Sequence, residues 1–227
     1  MFSFKLLNNL IQHCPLAALS PYAPQIFNLL LVRMQEERTP RFSKLFIHCI
    51  SLFAAAGDAQ FVHQTIEGIE VGLMRTLVTK VWAINGANCA GGERAEVKQT
   101  IVGTTKLMCS TDLRSSPEAW AAALKFVLAL MSAHKTEEEA QAFVVEEDHA
   151  EAREFDSAYS RLAYAQFPDA ELSVEMAAAP QYFATSIEAL CRAHPGMYSG
   201  VVAQALEPAA QEVLKACLLA AGITSLP

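Results

Sequence analysis

The sequence predicts an all-α protein, a solenoid of about five stacked helix pairs. Hydrophobic residues recur with helical spacing along the 227 residues, and no alternating pattern lasts long enough for a strand. Helices predicted to end near Cys14, Cys109 and Cys191 are separated by 95 and 82 residues, or two units of about 47 and two of about 41. Such periods are typical of HEAT repeats, whose helix pairs bury apolar faces against their neighbours. We therefore expect residues 1–227 to form a single HEAT-repeat solenoid domain.

Helix boundaries are indicated by capping and stop signals as well as by periodicity. The clearest helix, about 41–56, has apolar residues at offsets 0, 3, 4, 7, 8 and 11, and Gly57 stops it. Asp58 can cap the following helix, and Pro117 suits the first turn of a later one. The predicted helices, in chain order, are 4–14, 24–37, 41–56, 61–83, 93–109, 117–131, 155–165, 176–193, and one from 198 or 208 to 221.

The net charge of −7 is concentrated in one segment. Nine acidic residues and one arginine lie between Glu137 and Asp156, so the rest of the chain holds 15 acids and 16 bases and is nearly neutral. This distribution argues against nucleic-acid binding and favours a localised electrostatic contact or a solvated linker. We expect residues 136–154 to form an acidic insertion between two helices.

The cysteines and the apolar segments indicate an intracellular protein. The six cysteines are scattered without metal-site spacing, as expected of reduced thiols in a core. Polar residues such as Asn8 and Gln12 interrupt the N-terminal helix, so it does not resemble a signal peptide. The longest apolar runs, 45–56 and 120–131, are shorter than the roughly 20 residues that span a bilayer. We expect no membrane insertion.

The sequence contains no set of residues that predicts an enzyme. The glycine-rich stretch 85–92 has two glycines at P-loop spacing, but Gly92 and Glu93 replace the phosphate-binding Lys and Ser/Thr, so we interpret it as an inter-helix loop. The acidic and histidine residues within 147–151 lack the ligand order of an EF-hand. We therefore predict no catalytic residue, no metal and no cofactor.

A basic turn is the second charged feature. Arg33, Arg38, Arg41 and Lys44 surround the turn at 36–40 between two predicted helices. Paired-helix repeats present such turns at their edges. The turn is either a partner contact or a set of ordinary solvated charges.

Several short strings, taken in order and spacing, carry a resemblance that covers essentially the whole chain. They are Leu6-Leu7-Asn8, Gln25-Ile26-Phe27, Leu31-Val32-Arg33-Met34-Gln35, Val102-Gly103-Thr104-Thr105-Lys106-Leu107, Ala158-Tyr159-Ser160-Arg161-Leu162-Ala163-Tyr164-Ala165, and the closing Leu190, Cys191, Pro195 and Gly196. In these strings the chain resembles the C-terminal region of the importin-alpha re-exporter family (exportin-2, the cellular apoptosis susceptibility protein) of the importin-beta superfamily.

This resemblance implies a binding protein. Members of the family return cargo-free importin-alpha from the nucleus to the cytoplasm together with Ran-GTP, which is bound mainly through N-terminal repeats absent from this chain. The chain is thus expected to be the C-terminal part of a longer receptor that shuttles between nucleus and cytoplasm. The residues expected to bind partners are Arg38, Arg41, Lys44, Glu137, Glu138, Glu139, Glu146, Glu147 and Asp148.

Two other functions stay open at the level of sequence. One is a generic HEAT-repeat scaffold with another partner, and the other is a small all-α enzyme or ligand-binding regulator, which needs an enclosed pocket. A truncated solenoid also exposes the apolar face of its first helix, and self-association through that face would be an artefact. The residues of this face are Phe2, Phe4, Leu6, Leu7, Leu10 and Ile11.

Overall fold

The structure is a computed structural model that describes residues 2–36, 38–144 and 174–224. Over these ranges the chain forms helices and turns, with no strand. A π-helical turn, Val78–Trp82, continues α6, and 3-10 turns occupy Ser20–Tyr22 and Asp112–Ser115. The helices are α1 (Phe2–His13), α2 (Leu16–Leu19), α3 (Ala23–Glu36), α4 (Pro40–Ala56), α5 (Ala59–Glu67), α6 (Leu73–Leu77), α7 (Gly86–Ala90), α8 (Arg94–Ser110), α9 (Pro117–Val144), α10 (Val174–Ala177), α11 (Ala179–Ala193), α12 (Met197–Ala205) and α13 (Pro208–Ala220).

The helices stack in two layers. In the first, α4 packs between α1 and α8, and α8 packs between α4 and α11. In the second, α3 contacts α5, and α9 contacts the π-helical turn on one side and α13 on the other. The described ranges therefore contain five stacked units, of which the first and last are represented by α1 and by α12–α13. This arrangement confirms the all-α helical-repeat solenoid.

Aromatic side chains fill the space between the layers. Phe27 of α3 meets Phe53 of α4 edge to face, with ring centroids 5.2 Å apart. Phe46, also on α4, meets Trp82 of the π-helical turn at 6.1 Å. All four side chains are nearly inaccessible to solvent. Each pair joins the layers, so the apolar stripe of α4 holds two successive units together.

The predicted start and stop signals of three helices are confirmed. Gly57, the predicted stop, follows the last residue of α4. The cap of that helix was not predicted: the Thr39 hydroxyl oxygen accepts a hydrogen bond from the Phe42 amide at 3.2 Å. Asp58 caps α5 by accepting from the Gln60 amide at 2.9 Å. Pro117 is the first residue of α9.

Two predicted elements are wrong. The helix predicted at 61–83 is divided, because the Glu67 carboxylate accepts hydrogen bonds from the Gly72 and Met74 amides at 2.6 and 3.0 Å and starts α6 there. Gly72 has φ of 79°, a left-handed conformation that favours glycine. The stretch 85–92, predicted as a loop, contains α7. The predicted helix 155–165 lies outside the described residues.

The apolar face of α1 is only partly exposed, which corrects another expectation. Phe4 and Ile11 are buried, and the Phe4 ring packs edge to face on Phe42 of α4 at 5.3 Å. Leu6 and Leu10 remain exposed, at 57% and 37% of their full area. The side chain of Phe2 lies outside the described part of the structure.

None of the described helices has the length and apolar character that a membrane span needs.

A buried polar seam joins α4 to α8. His48 Nδ1 lies 3.2 Å from Thr100 Oγ1, and Ser51 Oγ lies 3.3 Å from Thr104 Oγ1. The helices cross at Gly103, where a Cβ would overlap the backbone of Ser51. These two hydrogen-bonded pairs satisfy polar groups that would otherwise be costly to bury, and they fix the register of the two helices.

The seam makes stability dependent on pH. Burial lowers the pKa of His48 from 6.5 to about 4; the charge of Lys44 lowers it further, while the Glu96 main-chain hydrogen bond and the Glu93 charge raise it. Between these two pH values the unfolded chain binds a proton that folded His48 does not, so stability falls as pH falls. We expect a loss on the order of 3 kcal/mol from this group by pH 4.

Urea unfolding from pH 7 to pH 4 measures this loss. In His48→Gln the side chain stays polar but does not titrate, so the drop in unfolding free energy should be smaller by that amount. Parallel pH curves for the variant and the wild type would show that His48 is not the titrating group.

Candidate partner-binding surface

The basic turn is anchored to the next unit by two of its cations. Arg38 Nη2 donates a hydrogen bond to the Lys80 carbonyl oxygen at 2.5 Å, and Lys44 Nζ donates to the Gly91 carbonyl oxygen at 2.9 Å. Lys80 lies in the π-helical turn, and Gly91 directly follows α7. Carbonyls at helix ends carry partial negative charge, so both cations stabilise the stack.

A third hydrogen bond fixes the same turn. Asn88 of α7 donates through Nδ2 to the Pro40 carbonyl oxygen at 2.6 Å, and it also lies 3.3 Å from Asn85 Oδ1. Three hydrogen bonds therefore join the start of α4 to the segment 80–91. Charges at this edge have a fixed position, which a charged partner could recognise without ordering a loop.

Arg41 differs from its two neighbours. It is exposed and borders an apolar groove of about 430 Å³ between α1, α3 and α4, whose walls include Leu7, Leu30 and Leu45. Arg33 lines the same groove and lies 3.6 Å from Glu36, a pair that is well exposed. Of the three cations predicted to bind a partner, Arg41 is thus the one directed to a surface groove.

The predicted acidic insertion begins inside α9. This helix has 28 residues against 17 in α4 and in α8, so it is about 16 Å longer than they are. Residues 136–144 of the insertion, with Glu137, Glu138 and Glu139, belong to its last part. Glu146, Glu147 and Asp148 lie outside the described residues.

Helix α7 contacts both the start of α4, where the basic turn lies, and α9. Gly86 of α7 lies close to α9, since a Cβ added to it would lie 3.1 Å from the Ala129 side chain. Asn88, on the same helix, donates a hydrogen bond to the Pro40 carbonyl oxygen. From Ala129, α9 continues another 15 residues. Helix α7 therefore connects the basic turn to the helix in whose last part the acidic segment begins, a connection that sequence alone does not indicate.

A polar cleft, missed in the sequence, lies between α5 and the turn that precedes α9. Gln60, His63, Gln64 and Glu67 stand at offsets 0, 3, 4 and 7, and all four line the cleft. That spacing puts polar residues on one face of a helix. The spacing is visible in the sequence. It was missed because His63 was considered as an isolated histidine and not together with the other three residues of this face.

The described residues contain no group of three or more side chains suited to hold a metal ion. The grooves between their helices are open to solvent. Burial raises the pKa of the Cys49 and Cys109 thiols to about 12, so both stay protonated and unreactive. What this geometry offers is extended surface with fixed charges at its edges.

A stack of helix pairs with charged edges and open clefts defines a class, the helical-repeat proteins that bind other proteins. Comparison with known proteins gives the family. Residues 1–217 match the family model described as CAS/CSE protein, C-terminus, and the chain belongs to that family.

Three similar curated proteins are named Exportin-2. The chain is 28% identical to Exportin-2 of Homo sapiens and 27% identical to that of Mus musculus, each over 98% of this chain and 23% of the relative. Exportin-2 of Danio rerio is 25% identical over 97% of this chain and 23% of the relative. The chain thus spans about a quarter of the length of these relatives. No solved structure matches it significantly.

Proposed function

We propose that this chain is the C-terminal part of a longer nuclear transport receptor that carries cargo-free importin-alpha out of the nucleus together with Ran-GTP. The family match over residues 1–217 carries this proposal. The whole receptor would shuttle between nucleus and cytoplasm. Most of the contact with Ran would be made by repeats outside this chain.

Electrostatics supports a role for this chain in holding importin-alpha. As a family property, the N-terminal segment of importin-alpha is strongly basic. The nine acids between Glu137 and Asp156 would attract it over about 8 Å in physiological salt.

A binding experiment with purified components tests the proposal. The whole receptor is immobilised and offered importin-alpha together with Ran loaded with a non-hydrolysable GTP analogue or with GDP. We expect capture of importin-alpha with GTP-form Ran only. Equal capture with either nucleotide, or none, would favour a generic helical-repeat scaffold.

Charge reversal at Arg41 should slow the association of the complex. This side chain is exposed at a groove, and its change leaves the hydrogen bonds of Arg38 and Lys44 intact. In Arg41→Glu we expect an association rate about three- to tenfold lower and a dissociation rate that changes little. Surface plasmon resonance at two salt concentrations measures both.

Lys215→Glu is the matched control for this experiment. Lys215 is also exposed, but it lies on α13 and pairs with Glu212 at 2.8 Å. If both variants associate at the wild-type rate, Arg41 is an ordinary solvated charge.

A further inference from the structure

The groove beside Arg41 corresponds to a position that the chain itself fills one unit further along the stack. The groove, of about 430 Å³, lies between the start of α1, the end of α3 and the start of α4. One unit on, the corresponding elements are the start of α4, the π-helical turn that ends α6, and the start of α8. Helix α7 lies in the connection between that turn and α8, and it contacts the start of α4.

The lengths of the two connections explain why one position is filled and the other is open. Residues 83–93 separate the π-helical turn from α8, and they have room for α7. Residues 37–39 separate α3 from α4, and three residues do not complete one helical turn. The groove beside Arg41 is therefore a place for a short helix that its own connection is too short to supply.

Helix α7 shows what such a place accepts. Its Gly86, Cys89 and Ala90, at offsets 0, 3 and 4, are buried and form one face of the helix. Beside that face, Asn88 bonds to the Pro40 carbonyl oxygen in the first turn of α4. The open groove has apolar walls suited to a face of the same kind. Its apolar lining residues, buried or half-buried, are Phe4, Leu7, Leu30, Phe42 and Leu45.

The charge of the groove indicates the charge of its occupant. Arg33 of α3 and Arg41 of α4 both line it and are exposed, and no carboxylate among the described residues lines it. Glu36 lies 3.6 Å from Arg33, but both side chains are well exposed, so this pair is weak. An occupant with carboxylates beside its apolar face would be attracted by both arginines, and a basic one would be repelled.

We propose that this groove binds a short amphipathic helix of a partner protein, with apolar residues on one face and Asp or Glu beside them. Helices that lay an apolar face in a groove are a common mode of peptide recognition. The apolar residues would pack on Leu30 and Leu45, and the carboxylates would pair with Arg33 and Arg41. The inference rests on the proposed function for the role of Arg41 in binding, and it names the kind of segment that Arg41 meets.

The test uses phage-displayed random 16-residue peptides selected on the 227-residue chain. We expect enriched peptides that carry Asp or Glu together with apolar residues three and four positions apart. Their Kd should rise at least tenfold in the double variant Arg33→Glu, Arg41→Glu. The control Lys125→Glu, Lys215→Glu makes the same change of charge at exposed cations of α9 and α13, and the Kd should change less than threefold. Thermal unfolding of both double variants reports whether either has lost its fold.

A photo-crosslinker in the otherwise unchanged chain checks the place of binding. Ser3 is exposed and lines the groove, so benzoylphenylalanine substituted for it should crosslink the enriched peptides. At Val71, which is 91% exposed on another part of the stack, it should not. The proposal is wrong if no peptide is enriched, if both double variants bind equally, or if both positions crosslink equally.

The same crosslinker in the whole receptor separates a partner from the other possible occupants. We expect the peptides to crosslink at Ser3 there as well. Loss of this crosslink would mean that other repeats of the receptor cover the groove, and a crosslink between two copies of the chain would mean that a second copy does. Either result overturns the proposal. These experiments use neither importin-alpha nor Ran, so this inference and the proposed function fail separately.

Discussion

Gly103→Ala is expected to lower the free energy of unfolding by roughly 3 kcal/mol or more. The added Cβ would overlap the carbonyl group of Ser51, and a neighbouring backbone cannot give way as a flexible side chain can. To relieve the overlap, α8 must move away from α4. That movement would break the hydroxyl pair between Ser51 and Thr104 and loosen the buried seam.

Urea denaturation and thermal unfolding both measure this loss. For a chain of this size the melting temperature should fall by about 6 to 12 °C. Gly200→Ala is the control, because Gly200 lies within α12 with open space around it. Alanine there should leave stability unchanged or raise it by up to about 1 kcal/mol. Equal stabilities of the two variants would contradict the close helix crossing.

Neutralising the acidic segment is expected to weaken importin-alpha binding about 10- to 100-fold in the whole receptor. Exposed ion pairs contribute about 0.2 to 1 kcal/mol each, and six pairs near the lower end of that range, at about 0.2 to 0.5 kcal/mol each, give such a change. The dependence of the affinity on salt should also flatten, because fewer screened attractions remain. The variant replaces Glu by Gln and Asp by Asn at Glu137, Glu138, Glu139, Glu146, Glu147 and Asp148.

Fluorescence anisotropy over a series of salt concentrations measures both quantities. The control variant carries the same change in net charge but at exposed acids elsewhere on the stack. It should bind within about threefold of the wild type, because distant charges are screened. Equal weakening in both variants would remove the acidic segment from the interface. The control replaces Glu70, Glu93, Asp112, Glu118, Glu207 and Glu212, with Asn at Asp112 and Gln at the others.

The helices that the sequence predicts well are those with local signals. In α4, the apolar periodicity over 42–53 and the stop at Gly57 lie in one continuous stretch of the chain. The break between α5 and α6 was missed because the periodicity continues across it. The break is made by the Glu67 carboxylate, which accepts hydrogen bonds from the amides of Gly72 and Met74, five and seven residues later. Gly72 adopts a left-handed conformation at this point.

The candidate surface was less predictable, since its contacts join distant parts of the chain. The partners of Arg38 and Lys44 are carbonyls 42 and 47 residues away, in elements whose relative position depends on the stack. Charge counting therefore finds the cations but does not separate those that bind the next unit from Arg41, which faces a groove.

The most direct measurement is the affinity of the whole receptor for importin-alpha, by isothermal titration calorimetry, with GTP-form Ran, GDP-form Ran and no Ran. Cooperative assembly requires that GTP-form Ran tighten importin-alpha binding, and by linkage that importin-alpha tighten Ran binding equally. We expect at least a tenfold lower Kd for importin-alpha with GTP-form Ran than in the other two titrations. The same Kd in all three would contradict a role in Ran-dependent export of importin-alpha.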